Sequence, residues 1–372
     1  MSVNAMSIRD RFAEYITNLQ QQVVATLEEL DPESPGFNVN EWIRSNGDAT
    51  RSNDNKNSSG GGGKACVLSA SANKDSLLEK AAVNISLIHG TLPPASVKQM
   101  ATQHSSVQYD TDPHYSQDLP FFSGGISIVI HPRNPNAPSA HANYRYFEIL
   151  DRDAEPESGE GARVLAWWFG GITDLTPSYL FEEDARHFHG TLKLACDRHG
   201  AALYPAFKRC CDEYLYIPHR QEHRGLGGLR FDDLCDEPHT LLQSDDESNL
   251  TGSRLQRPRT PDEIFALVRD LGDAFIPSYR PILLKRLRMP FTSRMRRWQL
   301  IRRGHYIEFN LVYERGTKFG LATPGVQTEN VLVSLPEEAR WEYMCELGVE
   351  GDGSKESEVV AVLKYPRDWT GA

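Results

Sequence analysis

Two alternating stretches joined by a short, stiff connection place the strongest limit on what this chain can become. Ile126–His131 is an apolar run that stops at Pro132, and residues 141–149 alternate in polarity. Alternation with period two marks a strand with one buried face. A parallel crossover needs a dozen or more residues, usually with a helix inside. The roughly ten residues available here, stiffened by Pro132, Pro135 and Pro138, cannot supply one. The two runs therefore pair as an antiparallel hairpin, and residues 163–169 alternate in the same way.

Helical spacing surrounds these strands. Ile8, Phe12, Tyr15, Ile16, Leu19, Val23, Leu27 and Leu30 fall on one face of a helix over 8–30, which Asp31-Pro32 ends. A second helix is predicted from Thr176-Pro177 to about Gly200, with Thr176 as cap and Glu182, Glu183 and Asp184 near its positive end. Further helices are read over 204–217, 261–289 and 337–347, and strands over 305–313 and 329–335. Strands interspersed with helices, and no internal repeat, give an α+β or α/β chain, and the hairpin favours an antiparallel sheet. Residues 1–44 read as an N-terminal helical segment of a single domain. Residues 45–63, rich in Ser, Asn and Gly, read as a flexible linker or lid. Residues 64–372 read as the main body of the domain, with a polar surface insertion at about 236–260.

Charge narrows the partners. With 40 basic and 51 acidic side chains the net charge is −11, which argues against nucleic acid. An anionic ligand would have to be drawn by a local basic cluster. The six cysteines form no C-x-x-C pair, which suits a reducing compartment. No apolar run approaches the ~20 residues of a membrane span, and no targeting pattern is recognisable, so the cytoplasm is the expected location.

Period two also decides which residues share a face. Ser127, Val129 and His131 point one way on the first strand, and His141, Asn143 and Arg145 share a face of the second. A solvated face would mix Lys, Glu and Thr. This one carries hydrogen-bonding groups and a fixed positive charge, which suit a bound carboxylate beside an acid/base group. In the run Trp167–Asp174, Gly170-Gly171 let the backbone turn or approach something flat, and Asp174 is a candidate buried acceptor. His187 and His189 diverge on a helix, while His219 and His223 could chelate an ion only if helical. No His-Glu-x-x-His motif is present. Arg220, Arg224 and Arg230 flank Gly225-Leu226-Gly227-Gly228. The loop lacks both G-x-G-x-x-G and a Walker lysine, so the arginines read as carboxylate clamps and not as a nucleotide site.

Taken in order, Gly60–Gly63, Glu79–Gly90, Ser127–Arg145, Trp167–Pro177, Glu182–His189, Tyr214–Asp233 and Gly304–Tyr343, which contains Gly316-Thr317-Lys318-Phe319-Gly320-Leu321, resemble the oxygen-dependent coproporphyrinogen-III oxidases. The resemblance implies an α+β fold with a large flat antiparallel sheet flanked by helices on both faces. It implies a homodimer with the last block at the contact, and a pocket over the sheet for a tetrapyrrole. It implies an oxidoreductase of haem biosynthesis that turns two propionates of coproporphyrinogen III into vinyl groups, giving protoporphyrinogen IX and carbon dioxide. Molecular oxygen is the co-substrate, with no metal or organic cofactor.

By the same resemblance His141 is the proton donor, Asp174 faces the pyrrole nitrogens, and Ser127, Asn143, Tyr144 and Arg145 contact substrate. Arg220 or Arg224 assists the Arg145 clamp, and Arg315 and Gly325 belong to the late substrate loop. His131, His141, His189 and His219 match histidines named as metal ligands in some members. The chain departs from the pattern at Glu314, where Asp is usual, and at Val326-Gln327, where many members carry an arginine. Two other readings stand beside this one: a metal-dependent oxygenase using the four histidines, and a non-catalytic tetrapyrrole-binding relative.

Overall fold

The computed structural model describes residues 6–43, 60–70, 73–102, 104, 106–109, 113–151, 163–242, 257–322 and 327–371. In chain order the elements begin α1 (Ile8–Leu30), β1 (Asn38–Ile43), β2 (Gly60–Ser69), β3 (Leu78–Leu92), α2 (Pro94–Ala101), β4 (Leu119–Pro132), β5 (Ser139–Leu150) and β6 (Val164–Thr176). Then come α3 (Glu182–Asp197), α4 (Leu203–Leu215), β7 (Tyr216–Ile217), β8 (Glu222–His223), β9 (Gly227–Leu234), α5 (Pro261–Asp273), α6 (Phe275–Arg286), α7 (Ser293–Val312), α8 (Arg315–Ala322), α9 (Thr328–Val331) and α10 (Lys355–Lys364). Most of the expected linker (residues 45–59), and residues 243–256 of the insertion, lie outside the described residues.

Seven strands form one sheet in the order β1-β2-β3-β4-β5-β6-β9, with every neighbouring pair antiparallel. The hairpin read from the sequence is β4–β5, with Ser127 opposite Asn143 and Val129 opposite His141. One face buries Ile126, Ile128, Ile130, Ala142, Tyr144 and Tyr146 in the main core, against α1, α3, α4, α5 and α6. Helix α1 begins where expected because the Ser7 hydroxyl accepts from Asp10 N at 3.1 Å. Its Phe12, Ile16, Leu19, Val23 and Leu27 then lie on the sheet.

The opposite face is closed in parts. At one end Phe121, Phe147, Trp168 and His104 stack in series, with centroids 5.5, 4.6 and 4.1 Å apart. At the other end α7 is fastened across the sheet by adjacent arginines. Arg303 pairs with the buried Glu79 and donates to Pro132 O at 3.0 Å. On the other side Arg302 and His305 both reach Glu222 Oε1, each at 2.7 Å.

Several sequence expectations are corrected. Residues 305–312 belong to helix α7 and Tyr313 caps it, in place of the strand expected over 305–313: Tyr306, Phe309 and Asn310 are buried at helical spacing, and the paired arginines commit the helix to its place. Residues 329–335 form the end of α9 and a single 3-10 turn, and 337–347 form turns instead of a helix. The helix expected from Thr176 begins at Glu182, after Phe181, because Asp174 and Leu175 are still paired with Gly228 and Gly227 in the sheet. Gly60–Gly63 form the start of β2, not a linker.

The run at Gly170-Gly171 does not turn; β6 passes straight through it. Both glycines answer to crowding from the neighbouring strands. A Cβ on Gly171 would lie 2.7 Å from Tyr144 Cδ1 and 2.8 Å from Phe231 Cζ, and one on Gly170 would lie 2.7 Å from Arg145 Nε. Gly171→Ala is therefore expected to cost about 1–3 kcal/mol of stability through overpacking. Urea unfolding followed by circular dichroism checks this, and an unchanged midpoint would refute it.

Candidate functional site

The closed ends leave a cavity of about 640 Å3 between the sheet and α7–α9. That volume lies in the range of small-molecule sites, roughly 300–1,000 Å3. Its floor includes Asn84, Ser127, His141, Asn143, Arg145 and Ile172, and its roof includes Phe309, Asn310 and Val331. Strand pleating selects the floor: cross-strand pairs Asn84–Ser127 and Ser127–Asn143 put alternate residues of three strands on the same side.

The centre of the floor is organised by Asp174, which sits opposite His141 in the register and is fully buried. Its Oδ2 accepts from His141 Nδ1 at 2.9 Å and from the Arg224 guanidinium at 2.5 Å. Burial works to raise the Asp174 carboxyl, but Arg224 and His141 together outweigh it and hold it below the usual range. An ionised carboxylate only accepts, so His141 carries its proton on Nδ1. That leaves Nε2 as the edge turned toward the cavity that His141 lines. Arg224 is itself buried, with its Cζ 4.8 Å from the Tyr306 ring and 5.0 Å from the Phe309 ring, so one ion pair links floor and roof.

Arg145 lies over Gly170, and its terminal nitrogen meets Asp232 Oδ1 at 2.6 Å while nearly half of the side chain stays exposed. Glu314 is placed on the wall by accepting from Gly316 N at 3.0 Å, from Thr317 N and from the Tyr214 hydroxyl at 3.0 Å. It thus caps the start of α8.

The cavity brings together Ser127, His141, Asn143, Arg145 and Arg224 among the residues singled out from the sequence. Others are displaced. Tyr144 points to the opposite face, fully buried, with its hydroxyl 2.5 Å from Thr173 Oγ1, as the strand's alternation requires. Arg220 is spent on Glu308, at 2.8 and 2.5 Å, and does not line the cavity. Arg315 is exposed at the start of α8 and is not on the wall, unlike its neighbours Glu314 and Gly316. Asp174 does not line the wall either; it lies behind His141, and its expected exposure to a ligand is not what the structure shows. Gly325 lies outside the described residues.

The four histidines do not converge. Buried His131 donates from Nε2 to Ser334 O at 2.9 Å; burial and the nearby Arg303 charge push its pKa well down, so the ring is neutral and Nδ1 accepts from Ser139 Oγ at 3.0 Å. His189 pairs with Tyr204 Oη at 2.7 Å, and His219 with Glu308 Oε2 and Tyr313 Oη, both at 2.7 Å. Among the described residues the one group of three or more side chains with ligand-like spacing is Glu342, Cys345 and Glu346, and Arg297 already pairs with both glutamates. Arg230, read with Arg220 and Arg224 as a carboxylate clamp, also lines the cavity, as do Asn84, Asn310, Glu314 and Gln327, which were not assigned to it from the sequence. The alternation of β3, with Ala82, Asn84 and Ser86 against Ala81, Val83 and Ile85, carried the signal for Asn84.

Comparison with known proteins adds a further finding. Residues 11–369 match the family model described as coproporphyrinogen III oxidase. The mitochondrial oxygen-dependent coproporphyrinogen-III oxidase of Homo sapiens is 42% identical over 354 residues, covering 95% of this chain and 65% of that protein. The oxygen-dependent coproporphyrinogen-III oxidase of Drosophila melanogaster is 42% identical over 363 residues, covering 98% of this chain and 78% of that protein. The chloroplastic enzyme of Hordeum vulgare is 40% identical over 363 residues, covering 98% of this chain and 80% of that protein.

Two expected outcomes follow from the floor and its anchors. Asp174→Asn strands the buried Arg224 charge and should lose about 3–5 kcal/mol of stability, part of which Asp174→Asn/Arg224→Met should regain. Denaturant unfolding of the three proteins checks this; a double variant less stable than the single one would contradict it. Glu222 gives the second. Burial opposes its charge, but Arg302 and His305 prevail and hold the carboxyl at about 2, below its ordinary value of 4.5. The unfolded chain thus binds this proton more tightly, so the stabilisation is complete above the ordinary value and drains away as pH falls toward 2. Glu222→Gln should flatten that acid limb in melting curves taken from pH 6 downward by about three units. Parallel curves for the variant and the native protein would rule it out.

Proposed function

The chain belongs to the coproporphyrinogen III oxidase family, and from that premise we propose that it is an oxygen-dependent coproporphyrinogen-III oxidase. Its reaction would convert two propionate arms of coproporphyrinogen III to vinyl groups and release carbon dioxide, yielding protoporphyrinogen IX for haem synthesis. The observation that carries this reading is His141. Its Nδ1 is held by a buried carboxylate, and its other nitrogen opens on a cavity whose floor also presents Ser127, Asn143 and Arg145.

The chemistry asks little else of the protein. Each propionate loses its carboxyl as carbon dioxide and two hydrogens with two electrons, which dioxygen takes up as hydrogen peroxide. Arg145 is suited to clamp a carboxylate. His141 is suited to move a proton at the reacting arm, with Asp174 fixing its tautomer and supporting its cationic form. Asp174 is thus a positioning residue, acting through His141. Ser127 and Asn143 supply neutral hydrogen bonds to the ring or its arms.

We extend the proposal to cofactor, assembly and compartment. The reduced tetrapyrrole is electron-rich enough to meet oxygen directly, and the four histidines serve separate structural partners, which supports turnover without a metal. Leu311, Val312 and Leu321 are over two-fifths exposed, and Trp341, Tyr343 and Met344 more so, which supports a homodimer through the last block. All six cysteines are free, which supports a reducing compartment and, with it, the cytoplasm; the human relative is named as mitochondrial and the barley one as chloroplastic. No helix among the described residues is long and apolar enough to cross a membrane.

The test is anaerobic mixing with coproporphyrinogen III, then admission of oxygen, with product masses measured after prior dialysis against a chelator. The expected outcome is loss of both carboxyl groups by the native protein, and a drop in kcat of about 10²–10⁴-fold for His141→Ala, the range of general acid–base catalysis. Tight porphyrin binding without a vinyl product would instead mark a non-catalytic relative. Activity lost to the chelator and restored by one metal would mark the metal-dependent reading.

A further inference from the structure

We propose that Arg230 is a second carboxylate anchor of the cavity, holding a different arm of the ligand from the one held by Arg145. The inference rests on the tetrapyrrole reading and specifies how that ligand is gripped.

Register puts Arg230 on the wall. It lies opposite Ile172, which lies opposite Asn143, so three neighbouring strands send Arg230, Ile172 and Asn143 to one face. Asp232, two residues further along β9, shares that face and stands between the two arginines. Its Oδ1 meets Arg145 at 2.6 Å, and its Oδ2 meets Arg230 at 3.4 Å. One carboxylate thus serves two guanidiniums.

The other charges on the wall are already committed. Arg224 is matched by Asp174 at 2.5 Å, with both side chains almost wholly buried. Glu314 is offset by the backbone N–H groups that open α8. What remains is a surplus of positive charge at Arg145 and Arg230.

Arg230 is also held differently from the arginines that serve the fold. Arg303 and Arg286 close on buried carboxylates, Glu79 and Asp184. Arg230 instead sits over the Tyr214 ring, with Cζ 4.1 Å from its centroid, and its contacts are the Cys210 sulfur at 3.3 Å and the long approach to Asp232. A thiol is a weak acceptor. The ring holds the guanidinium in place without using up its N–H donors, which stay able to fork onto a carboxylate. Gln327, also on the wall, adds a neutral amide and no charge. A ligand with several propionates, some of them retained in the product, needs more than one such grip.

The experiment uses the full chain and coproporphyrin III, the stable oxidised tetracarboxylate, titrated by quenching of tryptophan fluorescence. Arg230→Gln is expected to weaken binding about tenfold or more, as loss of a charge-assisted bond does. Arg230→Lys, which keeps the charge without the fork, should fall between. Arg145→Gln and Arg230→Gln should multiply in the double variant, because they hold separate arms. A loss within twofold for Arg230→Gln overturns the proposal. So does a double variant that binds no more weakly than Arg145→Gln alone, since Arg230 would then act only on Arg145 through Asp232. Should Arg230→Gln fail to fold, the lysine variant carries the same comparison. Turnover of coproporphyrinogen III by the native protein is scored separately. A native protein that binds but does not turn over removes the oxidase reading, and the titrations still judge Arg230. One that does not bind coproporphyrin III removes both.

Discussion

The carboxylate of Asp174 is the point on which the site hangs. It is charged, cut off from water, and shared by a histidine and an arginine that come from different parts of the chain. Taking such a charge out of water costs several kcal/mol, and only close, well-aligned partners offset it. The offset works in both directions. His141 gains a single orientation, Arg224 fastens the segment leading into β9, and the rings of Tyr306 and Phe309 bring α7 onto the same cation. The two arginine anchors of α7, to Glu79 and Glu222, then hold the roof at a fixed height above the floor.

Charge is distributed so that an acidic protein can receive an acidic ligand. The chain carries a net −11, yet the cavity wall presents Arg145, Arg224 and Arg230. Inside a partly enclosed, apolar space each guanidinium acts more strongly than it would in bulk water. The overall field therefore disfavours the approach of anions in general, and the cavity favours those that can enter it.

The strands of the site could be read from the sequence because their pattern is local. Ser127, His141, Asn143 and Arg145 follow from alternation alone, as does the helix over α1. The same rule applied strictly would have excluded Tyr144, which alternates onto the core side; it was named with its neighbours by resemblance to a motif. The errors arose where long-range partners overrule local pattern. Residues 305–313 look alternating, but the fold claims the arginines before them for Glu79 and Glu222, and a helix is the geometry that reaches both. Gly170-Gly171 looks like a turn, but the glycines make room for side chains of the flanking strands. Arg220, Arg224 and Arg230 are alike in sequence. Only the positions of Glu308, Asp174 and Asp232 separate a surface clamp, a buried strut and a wall residue.

The strand order carries a consequence for how the molecule assembles. From β1 to β6 each strand pairs with the next one in the chain, so the sheet grows between strands that are neighbours in sequence. Such contacts form early, because little chain entropy is lost in bringing the ends together. Strand β9 is different: it returns to the edge of β6 only after α3 and α4 have been traversed, and Arg224, Arg230 and Asp232 arrive with it. A nascent chain released before that return would hold a nearly complete sheet in which Asp174 has His141 beside it but lacks its arginine. The step that matures the binding site is therefore also the step that relieves the most costly charge in the floor, and assembly of the scaffold and acquisition of competence are coupled in time.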